Sequence, residues 1–120
     1  MIIELTRNSV AMGDDVYAPH DQKIIIPSYK QLDHLWNKMK EIRYLPSIYG
    51  GEATWILYRT DNDLPLAVVA QQWEKAKFFV QSQQTLAQCF EEVNRITLHF
   101  VYRAQENPDT VYRNLLEHFW

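Results

Sequence analysis

Cysteine is almost missing from this chain. Cys89 stands alone, so no internal disulfide can form. Nothing therefore asks for an oxidising compartment, and the cytoplasm is the expected location. Glycine is scarce as well, three residues in 120. A phosphate-cradling loop needs spaced glycines followed by Lys and Ser or Thr. Tyr49-Gly50-Gly51-Glu52 offers neither and runs into a strand-like segment, so it reads as a helix-to-strand turn. No apolar run approaches the roughly 20 residues that span a bilayer, and Met1 to Leu5 lacks the basic leader of a signal peptide. An excess of one charge is also lacking: 12 basic residues face 15 acidic ones, net -3. That argues against a binder that wraps a phosphate backbone, which usually shows a basic face. Neither nucleic acid nor membrane is expected as a partner.

Aromatic bulk is plentiful. Four Trp, seven Tyr and five Phe supply enough buried surface for a core without metal or disulfide. No repeat or linker interrupts the chain, so residues 1–120 read as a single domain. Met1 to Leu5 and Lys23 to Pro27 have strand composition. Ser28-Tyr29-Lys30-Gln31 fits a capping box, followed by Leu32, Leu35, Trp36 and Met39 at helical spacing, with Lys30, Asp33, Asn37 and Lys40 facing water. Ala53 to Tyr58 and Leu66 to Ala70 form a strand pair around the turn Thr60 to Asp63, with Pro65 at a tolerated edge position. Ala76 to Val80 can add a short strand. Ser82 to Asn94 reads as a second helix, with Thr85 and Gln88 as a capping box. Ile96, Leu98, Phe100 and Tyr102 alternate as in a strand, and Asn107-Pro108 starts a last helix.

The order predicts an α+β domain: a mainly antiparallel sheet of five or six strands with two or three helices packed on it. The opening strand-strand-helix-strand order is shared with β-grasp domains and related sandwiches.

The chemistry-bearing residues are dispersed. Ala11 to Asp21 is a polar connection longer than a hairpin needs, and it holds Asp14, Asp15, His20 and Asp21. It lacks the alternating oxygen ligands and closing Glu of a calcium loop, so no metal is assigned to it. Its aspartates either cap turns or face a partner. His20, His34, His99 and His118 show no zinc spacing, and Cys89 falls on the apolar stripe of a helix as a core thiol. The acid pairs Asp61/Asp63 and Glu91/Glu92 do not face each other as a glycosidase pair must. No cofactor is implied.

Two readings of function follow. The overall profile, small, acidic, poor in cysteine and without an active-site signature, resembles the bacterial toxin-neutralising (immunity) proteins. That resemblance implies a non-catalytic module that binds a basic toxin domain such as a nuclease. Asp14, Asp15, Asp21, Asp61 and Asp63 would then steer the partner by charge, with Tyr49 and Trp73 as contact anchors. The other reading is a small-ligand-binding or hydrolytic domain with a cleft formed by His20, His99, Tyr49 and Trp55. The bulky Phe119-Trp120 end docks either on its own core or on a twin chain as a homodimer.

Overall fold

The computed structural model describes residues 1–8, 21–46, 51–91, 94–104 and 106–120. Its elements run β1 (Ile2–Arg7), β2 (Gln22–Ile25), α1 (Leu32–Glu41), β3 (Thr54–Arg59), β4 (Leu64–Ala70), β5 (Lys77–Phe78), α2 (Leu86–Phe90), β6 (Arg95–Tyr102) and α3 (Pro108–Phe119). The strands form one six-stranded sheet in the order β2-β1-β6-β3-β4-β5. Every neighbouring pair is antiparallel except β1 and β6, which run parallel from Ile2↔Arg95 to Arg7↔Phe100. This is the expected α+β domain, with strand, strand, helix and strand opening it in the expected order.

Strict alternation assigns the faces. Ile3 and Leu5 of β1, Ile24 of β2, Trp55 and Leu57 of β3, Ala67 and Val69 of β4, and Leu98 and Phe100 of β6 join the main core. Leu32, Leu35 and Met39 of α1 and Leu86 and Phe90 of α2 close it from above. Burying each of these large side chains contributes about 1.5–3 kcal/mol. On the opposite face α3 sets Val111 and Leu115 on Ile56 and Val68, making a smaller second core. The helix covers only the β3–β4 side. Beside it, Glu4 of β1 reaches Lys23 at 3.8 Å and Arg95 at 3.1 Å, so the uncovered part of the sheet carries ion pairs.

A register shift between Leu57 and Tyr58 places Tyr58 opposite Pro65 and Leu57 opposite Ala67. The extra residue is a bulge, and it lets a strand accept a proline that has no N–H to give. Asn107 caps α3 as expected: its Oδ1 accepts from the backbone N–H of Asp109 and of Thr110, with Pro108 in the first turn.

Three local expectations need correction. The helix expected from Ser28 begins at Leu32, and its N-cap Gln31 makes no side-chain cap bond. The second helix, expected over residues 82–94, is confined to Leu86–Phe90 because Glu91 takes the left-handed conformation (φ 53°) and stops it. The capping box between Thr85 and Gln88 is present. The strand expected over residues 76–80 pairs only at Lys77 and Phe78.

Candidate functional site: a tryptophan-walled pocket at one end of the sheet

Parallel pairing of β1 with β6 gives the sheet two distinct ends. At one lie Arg7, the start of β2, Tyr102, Thr54, Ala70 and Lys77; at the other lie Ile2, Ile25, Arg59, Leu64 and Arg95. The first end holds a pocket of about 450 Å³, within the range of small-ligand and anchor-residue sites. Trp55 forms part of its lining together with Val69 and Ala70 of β4; Trp36, Met39, Lys40 and Arg43 come from the end of α1; Gln71 and Trp73 follow β4.

Each wall has a local cause. Trp55 is almost wholly buried and meets Tyr102 at 4.8 Å between ring centroids and Phe100 edge-on at 6.5 Å, so its indole is fixed. Trp36 and Lys40 stand four residues apart and therefore project along one side of the helix, and Arg43 joins them from the turn that follows it. Arg43 itself has φ 53°, the left-handed position after the helix. There its N–H bonds the Lys40 carbonyl while the Tyr44 N–H reaches Met39, the pattern of a Schellman ending. The turn after β4 is tied to this helix through the backbone carbonyl of Glu74. That carbonyl accepts from Trp36 Nε1 at 3.3 Å and from Lys40 Nζ at 2.7 Å. Lys77 lies 4.8 Å over the Trp73 ring as a cation–π partner. The mouth is thus held in shape before anything binds.

The lining carries two cations, Lys40 and Arg43, and no carboxylate, histidine or hydroxyl among the described residues. The described lining offers aromatic faces and N–H donors.

His99 sits elsewhere. It projects from β6 to the face opposite Trp55, because it pairs with Tyr58 while Trp55 pairs with Tyr102. A cleft uniting His99 with Trp55 is therefore not formed; the sheet separates them. His99 Nδ1 bonds Thr6 Oγ1, and its Nε2 meets Asn8 Nδ2 at 3.3 Å. Asn8 Oδ1 is occupied by the Tyr102 N–H at 2.9 Å, so the Asn8 amide presents its N–H to the imidazole. Nε2 must then accept, the proton sits on Nδ1, and Nδ1 donates to Thr6. In that tautomer His99 cannot take a proton from Thr6. Burial holds its pKa below the ordinary histidine value, which keeps the ring neutral.

The residues singled out from the sequence are divided by the fold. Trp73 lines the pocket and Asp21 is exposed just before β2, at the same end of the sheet. Asp61 and Asp63 lie in the β3–β4 turn at the other end, roughly 20 Å away along β4 at about 3.3 Å per residue. Asp61 is engaged by Arg59 in a two-pronged pair at 2.8 and 3.2 Å, and that bond lowers its carboxyl pKa. Asp63 is exposed at φ 54°. Asp14, Asp15, His20 and Tyr49 lie outside the described residues. Trp73 shares the pocket lining with Lys40 and Arg43 and packs against the second core of Ile56, Val68, Val111 and Leu115; the Lys77 ammonium over its ring is paired with Asp109 at 2.7 Å. Trp36, Lys40 and Arg43 were not singled out as site residues. Their 36/40/43 spacing was the available signal, with an aromatic residue at the edge of an apolar stripe followed by one cation on the same side and a second in the turn after the helix.

Searches against protein-family models, curated proteins and solved structures found no match to this chain. Among the described residues no helix is long and apolar enough to cross a membrane, and no group of His, Cys, Asp and Glu could hold a metal ion.

Proposed function

We propose that this chain is a non-catalytic protein-binding module that engages its partner through the end of the sheet bearing the tryptophan pocket. The observation that carries the reading is the pocket's composition: three indoles and two cations, with no carboxylate, histidine or hydroxyl among the described lining residues, on a mouth already braced by the Glu74 carbonyl. Pre-shaped aromatic hollows of this kind are where partner side chains deposit most of their binding energy. Trp73→Ala, which removes one wall, should abolish capture of the partner from a lysate of the source cell. Asp63→Asn, at the far end, should leave capture intact. Equal capture by both variants would reject the assignment of this surface.

The narrower form of the reading is an immunity protein that neutralises a basic toxin domain. It draws on the acidic balance of the chain and on exposed Asp21 and Asp63. Under it, association with the toxin should slow steeply as salt rises, and an association rate independent of salt would remove the charge-steering mechanism. The pocket's cations do not suit a basic protein, so this form of the reading puts the toxin at the Asp63 end; under it Asp63→Asn weakens capture and Trp73→Ala does not, the reverse of the outcome expected for the pocket.

A further inference from the structure

We infer that the group seated in the tryptophan pocket is an aromatic side chain flanked by carboxylates, presented by an acidic peptide segment of the partner. This rests on the binding-module reading and specifies its chemistry.

Three observations converge on it. The walls are planar and apolar: Trp36 and Trp73 line the pocket with Trp55, Met39 and Val69, which suits a ring able to stack or meet an indole edge-on. The polar side chains of the described lining are the cations Lys40 and Arg43 and the neutral amide Gln71. Lys40 spends one N–H on the Glu74 carbonyl, which fixes the ammonium in place and leaves two further N–H donors. Arg43 is exposed, with its planar fork of donors available to a carboxylate. Both cations belong to the last residues of α1 and the turn after it, and among the described residues no carboxylate lines the pocket with them. A neutral aromatic side chain would use the walls and leave the cations idle, and a basic segment would be repelled by them. A ring with acids on either side satisfies both features together. The volume of about 450 Å³ admits one aromatic side chain with its neighbours at the mouth.

The test uses the intact chain and three acetylated, amidated five-residue peptides. One has a central phenylalanine between glutamates, one has the same phenylalanine between lysines, and one has alanine between glutamates. Binding is read by calorimetry and by the indole N–H signals of Trp36 and Trp73 in two-dimensional NMR. The glutamate–phenylalanine peptide should bind at least tenfold more tightly than either control and should shift both indole signals. The Arg43→Gln variant, altered at an exposed position, should lose most of the preference for glutamate over lysine and still bind the phenylalanine. Equal affinity for the two phenylalanine peptides, or shifts confined to residues outside the pocket, would overturn the inference. So would equal binding of free 3-phenylpropionate and the peptide, since the occupant would then be a small molecule. If Trp73→Ala abolishes partner capture but the peptides show no preference for glutamate, the module reading stands and this inference alone fails.

Discussion

Gln31 and Thr85, the residues immediately before α1 and α2, face one another in an isolated antiparallel bridge. Around it the two helix starts satisfy each other's backbone donors. Leu32 and Asp33 donate to the carbonyls of Gln84 and Ser82, while Leu86 and Ala87 donate to those of Lys30 and Ser28. The first N–H groups of a helix have no partner within it, and here each helix draws acceptors from the segment that leads into the other.

The caps are therefore unequal in their dependence on side chains. Thr85 Oγ1 accepts from the Gln88 N–H and the Gln88 side chain returns the bond, so Thr85→Ala should cost about 1 kcal/mol. Ser28 serves through its carbonyl, so Ser28→Ala should change stability by less than about 0.5 kcal/mol. Urea unfolding of both variants checks the difference. A larger loss at Ser28 than at Thr85 would restore the side-chain cap read from the sequence.

The same contrast marks what the sequence revealed and what it withheld. The Thr85/Gln88 box and the Asn107-Pro108 start were legible because donor and acceptor lie within one turn. The true start of α1 was not, because its acceptors come from Ser82 and Gln84, far along the chain. The alternation of Ile96, Leu98, Phe100 and Tyr102 announced β6, but nothing in it told that β6 would run parallel to β1. The polar neighbours of Trp73 left a rim position and burial against a helix both open; in the fold it lines the pocket and packs on the core under α3. The cations that share the lining with it were hidden because Lys40 and Arg43 are brought to it by α1 and the turn after it.

Ala104 occupies the left-handed region at φ 49° and is exposed. Ala104→Gly should relieve roughly 1–2 kcal/mol of backbone strain and cost about 0.4–1 kcal/mol in chain freedom. A net gain of about 0–1.6 kcal/mol is expected, measured as a raised denaturant midpoint with an unchanged slope. A lowered midpoint would show that the methyl group makes a favourable contact.

His99 gives the fold a pH dependence of known sign. Burial places its folded pKa below the unfolded value of 6.5. The unfolded chain therefore binds the proton more readily, and this contribution to stability is present above that unfolded value. It is lost as pH falls through 6.5 and towards the folded pKa. Protonation would also place an N–H on Nε2 facing the Asn8 amide donor. His99→Gln should flatten the stability profile between neutral and mildly acidic pH. An unchanged slope would mean that the ring does not titrate with folding.

Trp120 docks on its own chain. Its ring stacks on Phe79 at 6.1 Å and 7°, and Phe79 in turn stacks on Tyr112 at 4.6 Å and 4°. Trp120→Ala should lower the unfolding midpoint by the equivalent of about 0.5–1.5 kcal/mol for the lost ring pair. The decrease should be the same across a wide range of protein concentration. Leu116 and Phe119 keep large exposed areas beside it. A midpoint that rises with concentration, and ceases to do so in the Trp120→Ala variant, would instead reveal the twin-chain docking of Phe119 and Trp120 as a homodimer.

The lateral bonds of β1 to β6 join residues far apart along the chain, with Thr6 meeting His99 across 93 positions. While the ribosome is still at work, the β1–β2 hairpin must wait with one flank unsealed. Closure of that flank is thus expected to be abrupt, governed by the arrival of a single segment, and the nascent hairpin is the stage most prone to pairing with the wrong neighbour.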